Sequence, residues 1–105
     1  MAALIKTLMV VPETDNDGVP FPASLWDELE RRLLAFGGYT RLADSTGAWV
    51  SGARVYRDRN RRYEVGLGSW ADFSTWFGIA AWARESFRQE ALYIEVAGIP
   101  EIIGG

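Results

Sequence analysis

The chain has 105 residues, 49% of them hydrophobic, with 5 Trp, 5 Phe, 4 Tyr and a formal net charge of -3. That is enough apolar material for one small core, and it excludes a disordered chain. The absence of Cys and His excludes disulfides, thiolate nucleophiles, Cys-type zinc sites and an imidazole base, so any catalysis runs on Asp, Glu, Tyr, Arg or the single Lys6.

Residues 3–11 are short, nearly all apolar and stopped by Pro12, which predicts a buried central strand. Glu13 to Pro22 reads as a loop. Its opening, Glu13-Thr-Asp15-Asn-Asp17-Gly18, imitates a calcium loop. It has Glu13 in place of the first Asp and Ser24 in place of the bidentate Glu, so no metal is expected there. Leu25, Leu29, Leu33 and Phe36 recur at helical spacing and predict a helix over 23–36, stopped by Gly37-Gly38.

Two strands are predicted at 39–50 and 54–68 around the Ser51-Gly52 turn, from Tyr39, Trp49, Val50, Val55, Tyr56, Tyr63, Val65 and Leu67. Asp44-Ser-Thr-Gly47 and Asp58-Arg-Asn60 are expected to interrupt them with a bulge or a small secondary hairpin. A second helix is expected over 72–88, with Phe73, Trp76, Phe77, Ala80, Ala83 and Phe87 as its core stripe. Residues 90–97 alternate, with Leu92, Ile94 and Val96 on one face of a half-buried strand and Tyr93 and Glu95 on the other. Gly98 and Pro100 end it, and Ile99, Ile102 and Ile103 form an apolar tail.

The order strand, helix, strand, strand, helix, strand is that of an α+β, ferredoxin-like split βαβ fold: a four-stranded antiparallel sheet with both helices on one face. The domain is expected over 1–98 and the C-terminal apolar tail over 99–105. The other sheet face is left open, and a homodimer is the expected way of covering it. With no export leader and no apolar run near the ~20 residues of a membrane span, the expected location is the cytoplasm.

Gly47-Ala-Trp49, Arg54-Val-Tyr56 and Phe87-Arg-Gln-Glu-Ala-Leu92 resemble short motifs of small uncharacterised bacterial domains of ferredoxin-like build. The resemblance covers residues 20–97. It implies the fold and brings no activity or cofactor with it.

Three groups of residues are candidate sites. Five of the 11 basic residues, Arg54, Arg57, Arg59, Arg61 and Arg62, fall within nine positions, an anion- or partner-binding segment on an acidic background. A solvated face of paired arginines is the plain alternative. Lys6 on the open face would have Glu64 and Glu95 as flanking partners with Tyr93 and Arg62 nearby, either a polar pocket or an ion-pair network under an interface. Trp82, with Ile79 beside it, lies opposite the predicted core stripe of the second helix and is a candidate interface anchor, unless the tail folds over it.

The residues therefore point first to a self-associating binding or accessory module whose arginine hairpin meets an acidic protein or a small anionic ligand. The rival is an enzyme of the dimeric α+β barrel type with Lys6, Glu64, Tyr93 and Glu95 in a pocket on the open sheet face. RNA binding comes third, disfavoured by the negative net charge and the lack of a stacking motif on a central strand.

Overall fold

The computed structural model describes residues 3–105; residues 1 and 2 of the predicted domain lie outside that range. Strands β1 (Ile5–Pro12), β2 (Thr40–Ser51), β3 (Arg54–Leu67), β4 (Ala91–Val96) and β5 (Ile99–Gly104) form one antiparallel sheet in the order β2-β3-β1-β4-β5. Helices α1 (Ala23–Leu33) and α2 (Phe73–Ser86) complete an α+β fold. As the split βαβ order requires, β1 lies between β3 and β4. Among the described residues, no helix is long and apolar enough to cross a membrane.

The count is five strands and not four. The apolar tail pairs residue by residue with β4, from Val96 against Ile99 to Ala91 against Gly104. Its reversal is a two-residue turn in which both Ala97 (φ 53) and Gly98 (φ 79) are left-handed, the geometry that fits the twist of paired strands. The usual signal for such a turn is Asn-Gly, and an alanine conceals it. L-residues other than Asn or Asp are held there at a cost of roughly 1–2 kcal/mol. Ala97→Asn is therefore expected to raise the stability measured by denaturant unfolding by about 0.5–1 kcal/mol.

Alternation along β1 buries Thr7, Met9 and Val11. In register beside them, Tyr63 and Val65 of β3 and Ile94 of β4 face the same core. The helices close it with Trp26, Leu29 and Leu33 from α1 and Trp76, Ile79, Ala80 and Ala83 from α2. Thr7 is the polar member of this stripe, and its hydroxyl donates to the Val65 carbonyl at 2.7 Å. Thr7→Val keeps the shape and deletes that donor, and unfolding measurements should show a loss of about 1 kcal/mol.

On α2 the expected stripe is rotated. Phe77 is 38% exposed, while Ile79 is buried. The helix is apolar almost all round, so spacing alone does not single out its inner face. The predicted first helix ends earlier than expected, its last turn, Leu34–Phe36, tightening into a 3₁₀ turn before Gly37 at φ 91.

The β2–β3 hairpin outgrows the body. β1 covers β3 only as far as Asn60, opposite Pro12. Beyond it, Thr46–Ser51 and Arg54–Arg59 pair with each other and with no third strand, as an arm closed by Gly52 at φ 62. The expected interruption at Asp58-Arg-Asn60 is absent because β3 runs straight through; the single irregularity in this pairing is on β2, between Leu42 and Ser45.

Candidate functional site

Where β1 ends, the loop after Pro12 crosses the base of the arm. Glu13 N–H donates to the Arg59 carbonyl at 2.9 Å, which tethers this loop to β3. Asp15 Oδ1 accepts from the N–H groups of Asp17 and Val19, so the acidic loop satisfies its own backbone. The irregularity in β2 carries Asp44 to the same place. The result is a cleft of about 320 Å³ lined by Glu13, Pro20, Phe21, Ala23, Trp26, Arg41, Asp44 and Arg61.

The two carboxyls in this cleft are shifted in opposite directions. The hydrogen bond with Asp44, and then burial, hold the Glu13 carboxyl above its ordinary value near 4.5, against the pull of Arg59 and Arg61. The same hydrogen bond, reinforced by Arg41, holds Asp44 below its ordinary 3.8. A proton entering the pair therefore goes to Glu13 before Asp44, the order found where two acids share one site. Arg41 reaches Asp44 Oδ1 at 3.0 Å. Arg59 bridges the pair, 3.4 Å from Glu13 Oε2 and 3.7 Å from Asp44 Oδ2.

The signs of these shifts oppose each other. Glu13 contributes stability that is full below the ordinary carboxylate value and lost as pH rises through its raised folded value. Asp44 contributes stability that is full above 3.8 and lost as pH falls. Glu13→Gln, neutral at every pH, is expected to melt above wild type at pH 7. That advantage should vanish below about 4.5, the ordinary value of the carboxyl. A pH series of thermal melts checks both halves.

Beside the acids, Arg61 lies with its guanidinium 4.2 Å over the Trp26 ring, and Phe87 meets the same indole at a ring separation of 4.5 Å. Arg61 reaches one carboxylate, Glu30 Oε2, at a long 3.6 Å, and its buried Nε finds no acceptor. Glu30 is already occupied: it accepts the Tyr63 hydroxyl at 2.6 Å and the Tyr39 hydroxyl at 2.9 Å. Burial, then the bond to Glu30, push the Tyr63 hydroxyl far above its ordinary value. The bond to Glu30 is the leading cause for Tyr39. Both phenols stay protonated and act as props. Arg61 is thus a cation with spare donor capacity in a cleft that it lines together with Glu13, Arg41 and Asp44.

The sequence candidates are dispersed. The expected open face exists: Lys6 Nζ stands 3.9 Å from Glu64 Oε2, and the Tyr93 hydroxyl donates to Glu95 Oε2 at 3.1 Å. Glu64 and Glu95 flank Leu8 and not Lys6. Lys6 and Glu64 line a concavity of about 480 Å³ with Leu4, Phe36, Gly38, Tyr39, Thr40 and Gly66, which Tyr93 and Glu95 do not line.

The arginine segment is not one surface. Strand alternation puts Arg59 and Arg61 on the helix side and Arg62 on the open side, donating to the Ala43 carbonyl at 2.9 Å. Arg54 covers Tyr56 at 5.0 Å, and Arg57 is exposed. The predicted outward anchor also moves: Ile79 is buried, and Trp82 is half-buried, with Arg32 4.1 Å over its ring and Phe87 at its edge.

No family model and no curated protein matches the chain. Its fold is similar to a phage SAM lyase in complex with S-methyl-5'-thioadenosine, at 14% identity and a TM-score of 0.76, over 100% of this chain and 92% of that chain. It is likewise similar to a phage SAM lyase in the apo state, at 13% identity and a TM-score of 0.69, over 96% of this chain and 89% of that one. At such identities the chains share a fold, and the added fifth strand falls within the span of the likeness.

Proposed function

We propose that the chain is a small-molecule enzyme that cleaves a sulfonium substrate of the S-adenosylmethionine class, with the Glu13–Asp44–Arg61 cleft as its active site. The observation that carries this reading is the similarity of the whole chain, at a TM-score of 0.76, to a lyase holding S-methyl-5'-thioadenosine.

The chemistry suits the residues available. When the C–S bond of a sulfonium breaks, both electrons stay on sulfur and the leaving group departs as a neutral thioether, so no general acid is needed. The carbon fragment is completed either by loss of a proton to a carboxylate or by attack of the substrate's own carboxylate oxygen, which moves no proton. Neither route asks for the imidazole or thiol that this chain lacks.

Each wall of the cleft then has a task. Ionised Asp44 faces the sulfonium, while the Glu13 carboxyl accepts from a substrate hydroxyl. Arg61, short of acceptors, takes the substrate carboxylate, and Pro20, Phe21 and the edge of Trp26 pack the nucleoside. Its volume of about 320 Å³ is at the lower end for a small-molecule site. The Lys6 concavity offers one carboxylate, Glu64, where this cleft offers two. Incubating the purified chain with S-adenosylmethionine and separating the products by chromatography tests the reading. S-Methyl-5'-thioadenosine is expected to form well above the buffer rate, and equality with buffer rejects it.

A further inference from the structure

We infer that the hairpin arm Thr46–Arg59 docks across the open sheet face of a second copy of this chain. Beyond the Glu13–Arg59 tether at its base, its two strands pair only with each other, and an isolated two-stranded hairpin is marginal in water. This one nevertheless ends in exposed apolar residues: Val50 is 68% and Val55 53% exposed on one face, and Trp49 46% on the other. Val50 and Val55 lie on the side of the strands that the helices cover in the body, yet both stay exposed.

The other face of the arm is preorganised. Trp49 and Tyr56 stand opposite each other across the strands and stack at 4.6 Å, tilted by 17°. Arg54 lies 5.0 Å over Tyr56, and the Trp49 indole donates to Asp58 Oδ2 at 2.8 Å. Trp, Tyr and Arg are the side chains that dominate protein–protein binding energy, and here their rotamers are fixed in advance.

Charge selects the occupant. Residues 46–59 carry a formal +2, which leaves -5 on the rest of the chain, so the arm is complementary to the body of its own kind. The open face offers an apolar surface for it. By register, Leu8, Val10, Tyr93 and Ile102 share it with two acids, Glu64 and Glu95, and two bases, Lys6 and Arg62, and Tyr93 and Ile102 are 41% and 68% exposed. The expected self-association thereby gains a surface, and Ile79 and Trp82 are not part of it.

Sedimentation velocity over a micromolar concentration series tests this without any substrate, so its outcome is independent of the catalytic reading. Wild type is expected to assemble. Trp49→Ala and Val55→Glu, both at exposed positions, should weaken assembly about tenfold or more, and so should Arg54→Glu combined with Arg57→Glu. A shortened chain with residues 46–59 replaced by Asn-Gly should be a monomer, because Ser45 and Asn60 are directly opposed and a two-residue turn closes such a pair. If the shortened chain does not fold, the point variants decide. A monomeric wild type, or variants that assemble as wild type does, overturns the inference, and the arm then serves a different partner or none.

Discussion

Asp44→Asn is expected to lower kcat/KM for S-adenosylmethionine by about two orders of magnitude while leaving the melting temperature within a few degrees of wild type. Asp44 is the carboxylate that the cleft keeps ionised, braced by Arg41 at 3.0 Å. A unit negative charge about 4 Å from a sulfonium is worth roughly 4 kcal/mol at an effective dielectric near 20. Part of that is shared by the bound ground state, so a loss of about 2.7 kcal/mol in the barrier is a moderate claim. Steady-state kinetics on Asp44→Asn and on Glu64→Gln, whose carboxylate lines the Lys6 concavity, separate the two candidate pockets. If Glu64→Gln is the damaged variant, the active site lies in the Lys6 concavity.

The largest loss of stability is expected from Glu30→Ala. This carboxylate accepts the hydroxyl of Tyr63, a fully buried side chain, together with the Tyr39 hydroxyl, and is the ion-pair partner of Arg61. Removing it strands a buried phenol and leaves a guanidinium against an indole with no counter-charge. An orphaned buried donor costs about 1–3 kcal/mol, and breaking a partly buried ion pair adds to it. A total near 3 kcal/mol lowers the melting temperature of a domain this size by roughly 10–20 °C. Glu30→Gln, which still accepts from one phenol, should lose about half as much. Equal melting of Glu30→Ala and wild type would mean that water replaces the carboxylate without cost.

Most of the scaffold is legible in the sequence because it rests on local patterns. Alternation in β1 and β4, the helical spacing of Leu29 and Leu33, and the glycine stop after α1 each announce an element. The fifth strand is not, because its turn uses Ala97 at a positive φ where Asn would have signalled it. The inner face of α2 is hidden by the helix being apolar on nearly every side. The cleft is harder still. Glu13 reads as the start of an acidic loop and Asp44 as part of a bulge, and 31 positions separate them. What joins them is the crossing of the post-β1 loop over β3 together with the β2 irregularity, both products of tertiary register. The useful signal was present in the arginine run, since strand alternation sends Arg59 and Arg61 to one side of the sheet and Arg62 to the other.

The structure of this chain crystallised with S-methyl-5'-thioadenosine tests the central claim most directly. The nucleoside is expected in the cleft against Phe21 and Trp26, with its sulfur nearer to Asp44 than to any other carboxylate and Arg61 turned toward the vacant carboxylate position. A nucleoside seated instead between Lys6 and Glu64, or no binding in solution at millimolar ligand, would contradict it.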